Sequence, residues 1–204
     1  MNKEQVSDAL WPDAEGDKAE RALITTIHRL RRLLGDDRAV QVQSGKLGLN
    51  ASCCWVDCWA FERLLSMAED ASKLKDMDAE IRLTEKALAV YNGAFLADDT
   101  FESWAVSPRE RLRCRFQQAV NRIGSSLASI GQWERAAGYY WRSLEVDDLS
   151  EETYQRLMHC LQQLGRKTEV VLVYERCRKT LHAAFGLEPS PETRRIIRSL
   201  MDGR

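Results

Sequence analysis

The chain has 204 residues, 44% of them apolar, with four prolines and a formal net charge of −1. That composition builds one large or two small globular domains with a substantial core, and it excludes a generally basic nucleic-acid or membrane-surface protein. Any charged partner must be met by a local patch. No apolar run approaches the roughly 20 residues that span a bilayer, and Met1 to Trp11 carries neither an apolar stretch nor a cleavage-like site. A cytoplasmic protein with no membrane partner is expected.

Glu4 to Trp11 reads as a short helix with Val6, Ala9 and Leu10 apolar, stopped by Pro12. Asp13 to Asp17 is a polar, glycine-containing turn. A longer helix follows, from about Lys18 to Leu34. At about 100° per residue, Ala19, Leu23, Ile27, Leu30 and Leu34 share one face. Lys18, Arg21, Thr25, His28, Arg29 and Arg32 share the opposite face, with Arg31 on its flank. Asp17 suits the N-cap and Gly35 the C-cap. Cations interleaved with Thr and His are groups that bond phosphates, and an arginine fork also fits guanine O6 and N7. The same face also reads as the solvated side of an ordinary amphipathic helix. Residues 1–50 hold eight basic and eight acidic side chains, which counts against a broadly basic domain.

Val40 and Val42 then alternate with polar residues, Ser44-Gly45 turns the chain, and Leu47 and Leu49 alternate again. That is a β-hairpin with a two-residue turn. Helix, turn, basic-faced helix and hairpin make a winged helix-turn-helix order. The second helix would enter the major groove, and the hairpin tip would reach flanking backbone through Ser44 and Lys46.

Leu10-Trp11-Pro12-Asp13 and Ile27-His28-Arg29-Leu30-Arg31-Arg32-Leu33-Leu34-Gly35 resemble the DNA-binding domain of the response-regulator winged-helix family. The closer resemblance is to its antibiotic-regulatory-protein branch, where that domain precedes a bacterial transcriptional activator domain. The resemblance implies that Lys18 to Leu34 matches the recognition helix. It implies base-edge contact at Thr25 and Arg29, and phosphate contact at Arg21, Thr26, His28 and Arg31. The face itself adds Lys18 and Arg32. The family has an N-terminal β-sheet and a first helix ahead of the part matched by Glu4 to Trp11, so a partial, N-terminally truncated winged helix is expected over residues 1–52.

Beyond the hairpin, Trp55-Val56-Asp57-Cys58-Trp59-Ala60-Phe61-Glu62 starts a helix with Asp57 as a suitable N-cap. It resembles the opening of the activator domain. Ile81 to Tyr91 is a second helix ending at Asn92-Gly93. Tyr91-Asn92-Gly93-Ala94-Phe95-Leu96 resembles that domain's Y-x-G-x-F-L signature, and Trp104 with Arg109-Glu110-Arg111-Leu112 its W-x(4)-R-x-R-L run. Ala97 to Thr100 reads as a polar loop. From Pro108 a helix runs to about Ile130.

Val120 to Arg178 repeats at a spacing of 34: Ile123 answers to Leu157, Leu127 to Leu161, Gly131 to Gly165, Tyr140 to Tyr174, Arg142 to Arg176 and Ser143 to Cys177. That period marks stacked helical hairpins of the tetratricopeptide kind, with Gly124, Gly131, Ala136 and Tyr140 at small or aromatic key positions. Ser190-Pro191-Glu192-Thr193 caps a final helix. Trp133 and Trp141 fall at helical spacing and read as packing rather than a ligand pocket. Arg176, Arg178 and Lys179 read as a solvated basic run, and His159 and His182 as solitary histidines.

Six cysteines are present, and Cys53, Cys54 and Cys58 have the wrong spacing for a zinc site. Reduced thiols, no metal and no cofactor are expected. No phosphate-loop, dinucleotide, zinc-protease or nucleophile-elbow motif occurs, so no enzyme is expected. The fold expected is mainly α: a partial winged helix-turn-helix with a small β-hairpin, then a right-handed tetratricopeptide-like α-helical repeat domain over 53–204. The function expected is a DNA-binding transcriptional regulator, of the activator kind by resemblance. Its partners would be double-stranded DNA and a protein or second copy met through the repeats. The alternative is a helical-repeat interaction module without autonomous DNA binding.

Overall fold

The structure, a computed structural model, describes residues 2–98 and 103–202. It divides into two compact units, Met1–Trp59 and Ala60–Arg204.

The first unit holds α1 (Lys3–Leu10), α2 (Gly16–Leu34), β1 (Val40–Gln43) and β2 (Lys46–Leu49). Leu23, Ile27 and Val40 form its core, with Val6, Trp11 and Leu47 packed against them. The apolar face of α2 is therefore used in its first three turns. Leu30 and Leu34 share that face but stay 38% and 47% exposed, a departure from the face read in the sequence. The helix begins at Gly16, so Asp17 lies in the first turn rather than at the cap. There its charge still faces the positive end of the helix dipole. Gly35 ends the helix in the left-handed region, φ 74°.

The hairpin is antiparallel, with Val40 opposite Leu49 and Gln43 opposite Lys46. Ser44 (φ 49°) and Gly45 (φ 74°) are both left-handed, the geometry of a type I′ turn that matches strand twist. At the outer edge of β2, Asn2 bridges Lys46, and the Lys3 amide donates to the Gly45 carbonyl at 2.8 Å. Immediately before β1, Arg38 forks onto Asp36 and holds its carboxyl down at about 2.

The helical chain continues with α3 (Asp57–Lys73), α4 (Met77–Val90), α5 (Ser103–Ser129), α6 (Trp133–Val146), α7 (Glu151–Gln163), α8 (Lys167–Phe185) and α9 (Pro191–Asp202). Asp57 is the first helical residue of α3, not its cap. Helix α4 starts earlier than Ile81 because the Asp76 carboxylate accepts from the Ala79 amide at 2.9 Å. Helix α5 starts at Ser103, leaving Pro108 inside it. Ala105, fully buried, anchors that added turn. Of the expected polar loop, Asp99 and Thr100 lie outside the described residues.

Helices α5 to α8 pack in sequence, each on the next, and α9 docks on α7 and α8. The 34-residue period is the period of this packing. Ile123, Leu127, Leu157, Leu161, Ser143 and Cys177 are all buried, and Gly131 and Gly165 turn between helices at φ 76° and 72°. This is the tetratricopeptide-like array that the sequence implies.

The arginines of the period have a shared role. Arg142 Nη2 donates to the Leu88 and Tyr91 carbonyls at 2.7 and 2.6 Å, at the open C-terminal end of α4. One repeat later, Arg176 donates to the Leu144 carbonyl near the end of α6 at 3.3 Å. Each guanidinium supplies donors to carbonyls that a helix end leaves without intrahelical partners. Each also sits over a ring, Phe116 at 5.7 Å and Trp141 at 5.8 Å. The run at Arg176 is thus not simply solvated, and Arg178 is paired with Glu175. Arg142→Met is expected to lower stability by about 2 kcal/mol, the penalty of unsatisfied half-buried carbonyls. Arg176→Met should lose less than half of that, and thermal melts of the two variants make the comparison.

The two activator-domain motifs are bound to each other. Arg109 donates from Nε to the Phe95 carbonyl and from Nη2 to the Leu96 carbonyl, both at 2.9 Å. Tyr91 stacks on Phe116 at 4.4 Å and tilts against Phe61 at 5.4 Å. Arg111 pairs with Glu62, and Arg113 with Glu110 and Asp147. At the far end, Glu151 accepts from the Ser190 amide at 2.7 Å and from the Thr193 hydroxyl, seating α9. Tyr139 donates to Glu85 at 2.8 Å. Burial and that hydrogen bond push its phenol up to about 12.

Candidate nucleic-acid interface

The core residues Leu23 and Ile27 fix which way α2 faces. Ala19, Leu23 and Ile27 are buried, so the opposite side looks outward. Lys18, Arg21, Thr25, His28, Arg29 and Arg32 are all exposed on that side. They recur at intervals of three and four, so they form one stripe along the helix. From Arg21 to Arg32 the stripe runs about 16 Å at 1.5 Å per residue, the length of roughly five base-pair steps.

Within the stripe, the Thr25 hydroxyl donates to the Arg21 carbonyl at 2.9 Å, which turns its lone pairs and methyl outward. Lys18 pairs with Glu15 at 3.1 Å, both side chains well exposed, so the pair is solvent-screened. The side chains of Arg21, His28, Arg29 and Arg32 have no hydrogen-bond or ion-pair partner among the described residues. The helical unit treats arginine differently. There Arg109, Arg111, Arg113, Arg115, Arg122, Arg135, Arg142, Arg156, Arg166, Arg176, Arg178 and Arg195 are each engaged. The other partnerless guanidinium groups, those of Arg63, Arg82, Arg194 and Arg198, are spread over three helices. Nowhere else among the described residues do three free arginines line one face of one helix.

Three acids of this unit have ion-pair partners: Glu15 on Lys18, Glu20 on Lys3 at 3.6 Å, and Asp36 on Arg38 at 2.9 Å. None of these carboxylates reaches Arg21, Arg29 or Arg32.

Two residues of the expected set leave the stripe. Thr26 is exposed but rotated about 110° from its centre by helix geometry. Arg31 is half-buried, and both its Nε and Nη2 donate to the Val40 carbonyl, at 3.1 and 2.8 Å. It is a strut inside the unit, not a free cation. Ser44 and Lys46 are exposed at the hairpin tip. No group of three or more His, Cys, Asp or Glu able to hold a metal occurs among the described residues. Cys54 donates its thiol to the Ala39 carbonyl at 3.5 Å, and Cys53 meets Asn50 Nδ2 at 3.3 Å. Among the described residues no helix is long and apolar enough to cross a membrane.

A family described as bacterial transcriptional activator domain matches residues 56–201. The regulatory protein AfsR of Streptomyces griseus is 28% identical over 200 residues, covering 96% of this chain. The chain spans a fifth of that protein's length. Among solved structures, Mycobacterium tuberculosis EmbR, in complex with a low-affinity phosphopeptide, superposes on the whole chain with a TM-score of 0.75. That match covers 55% of EmbR at 17% identity, a likeness of fold. The matched span takes in the helices from α3 onward and the Phe95–Leu96 turn that Arg109 holds, and the chain belongs to the bacterial transcriptional activator domain family, a family of transcriptional regulator domains and not of enzymes.

Proposed function

We propose that this chain binds double-stranded DNA as a transcriptional activator, with α2 in the major groove and the β1–β2 hairpin on flanking backbone. The observation that carries the reading is the stripe Arg21, Thr25, His28, Arg29, Arg32, whose arginine and histidine side chains are partnerless among the described residues, on a helix whose other side is fixed by a core. Free guanidinium groups on an exposed, rigid helix neutralise phosphates and fork onto guanine. Arg29, mid-stripe beside Thr25, takes the base edge. Lys18, Arg21, His28 and Arg32 take phosphate or sugar, as do Ser44 and Lys46 at the tip. Thr26, off the stripe, meets at most the groove wall. The helical array provides the protein-facing surface, for a second copy or a partner of the transcription machinery. Membership of the activator-domain family and the likeness to AfsR support this division of labour.

The test is a gel-shift titration of the full chain on duplex DNA at several salt concentrations. Four cations on phosphate predict a log–log slope of about −3.6, or a roughly 100-fold loss between about 50 and 200 mM salt. A chain that shifts no duplex at low salt is an interaction module without DNA binding, and the reading fails.

A further inference from the structure

We infer that Arg31 is a positioning residue for the wing: it sets the hairpin's orientation on α2 and makes no DNA contact itself. The inference rests on the DNA reading above, and it assigns Arg31 a role different from the phosphate contact that its place in the recognition helix suggests.

The Asn50 amide donates to the Ala39 carbonyl at 2.8 Å, which makes Ala39 and Asn50 a hydrogen-bonded pair. Antiparallel ladders alternate, so the next pair, Val40 with Leu49, is non-hydrogen-bonded. The Val40 carbonyl therefore points away from β2, toward the open edge of β1. Yet Val40 is a core residue, 2% exposed. A carbonyl there is cut off from the ladder and shielded from most solvent, and needs a donor from elsewhere.

Arg31 supplies two. Its guanidinium crosses from the last turns of α2 and places both Nε and Nη2 on that one oxygen. A planar fork with two fixed donors defines direction as well as distance, which a lysine ammonium does not. The opposite edge of the ribbon is held at the tip by the Lys3 amide on the Gly45 carbonyl and the Asn2–Lys46 bridge. The ribbon thus has two anchors at opposite ends and on opposite edges. Together they fix its twist about its own long axis, and that twist decides whether Ser44 and Lys46 face the same way as Arg21, Arg29 and Arg32. Without Arg31, the tip anchor and the non-directional packing of Val40 and Leu47 on α2 are what remain to orient the ribbon.

The same geometry makes Arg31 unsuited to phosphate contact. Two of its three nitrogens are engaged, it is half-buried, and it sits about 110° from the centre of the stripe.

A double-mutant cycle on the full chain tests this, with Arg31→Gln, Lys46→Ala and the double variant. The probe is a fluorescein-labelled random-sequence duplex, read by anisotropy over a salt series, with thermal melts alongside. Positioning predicts that Arg31→Gln weakens binding about as much as Lys46→Ala, roughly three- to tenfold, and flattens the salt slope by about one. The double variant should then bind no more weakly than Arg31→Gln alone, because the wing contact is already lost. Additive losses, with the slope falling by about two in the double variant, would mean that Arg31 touches phosphate itself, and overturn the inference while leaving the DNA reading intact. Arg31→Gln binding as wild type also overturns it. If Arg31→Gln melts below the assay temperature, Arg31→Lys takes its place. It keeps the charge and one donor, and non-additivity with Lys46→Ala is required there too. Absence of DNA binding by the wild-type chain overturns both statements together.

Discussion

Arg29→Ala is expected to weaken binding to a preferred duplex about 10- to 100-fold, the loss of one bidentate guanine contact worth ~1–3 kcal/mol. The loss should be selective. On random-sequence DNA the variant should bind within about threefold of wild type, because phosphate contacts carry that affinity. Its melting temperature should not change, since the Arg29 side chain is exposed and has no partner among the described residues. A preferred duplex selected by the wild-type chain from a random pool, then competed against single-base variants, gives the readout. Preference should relax at one base position. An equal loss on every sequence would move Arg29 from the base edge to the phosphate backbone.

Gly124→Val is expected to be the most damaging single substitution in the helical array. A Cβ at Gly124 would fall 2.8 Å from Cε1 of Tyr140 and overlap its Cζ and hydroxyl. Tyr140 is 2% exposed, so its ring has nowhere to retreat. The absence of a side chain at 124 is what lets α5 and α6 approach across that ring. Valine replaces a hydrogen with a branched group in a filled space, and overpacking of this kind costs about 3 kcal/mol. That corresponds to a fall in Tm of roughly 6–12 °C for a unit of this size. Gly138, on α6, has nothing within 4 Å of its own hypothetical Cβ, and Gly138→Ala is the matched control. It should be neutral or slightly stabilising, as alanine favours helix. Calorimetry on the two variants separates close packing from a general glycine effect.

What could be read from the sequence was whatever short-range periodicity controls. The opposed faces of α2 follow from 3.6-residue spacing, and the hairpin from two-residue alternation around Ser44-Gly45. The array follows from the 34-residue period. Gly35, Gly131 and Gly165 mark turns because each adopts a left-handed φ that a helix end requires. Motif resemblance identified the family, and the matched span of 56–201 shows it.

What was not legible depends on where long side chains go. Arg31 and Arg32 are neighbours of identical chemistry, yet one is a strut and the other is free. The difference is the Val40 carbonyl, orphaned by a strand register that lies nine residues on. The pair Arg142 and Arg176 was visible as a repeat, but not its purpose. Its acceptor carbonyls are set by how helices stack, 51 and 54 residues back for Arg142. Helix starts were misplaced for a related reason. Proline favours the first helical position, which pointed to Pro108. Burial of Ala105 draws α5 back past it to Ser103. The Asp76 cap draws α4 back to Met77 in the same way. The even charge count over residues 1–50 is blind to placement: Glu15, Glu20 and Asp36 pair with nearby cations, while Arg21, Arg29 and Arg32 have no ion pair.

The outward stripe of α2 is proposed as the DNA-binding surface. The most direct measurement compares the wild-type chain with Arg21→Ala/Arg29→Ala/Arg32→Ala in duplex binding across a salt series. With all three side chains exposed and partnerless, the circular dichroism and melting temperature should be unchanged. The account predicts that affinity falls more than about 100-fold and that the salt slope loses about two, the share of Arg21 and Arg32 on phosphate. A triple variant that keeps its fold and binds duplex with wild-type affinity and slope would contradict it.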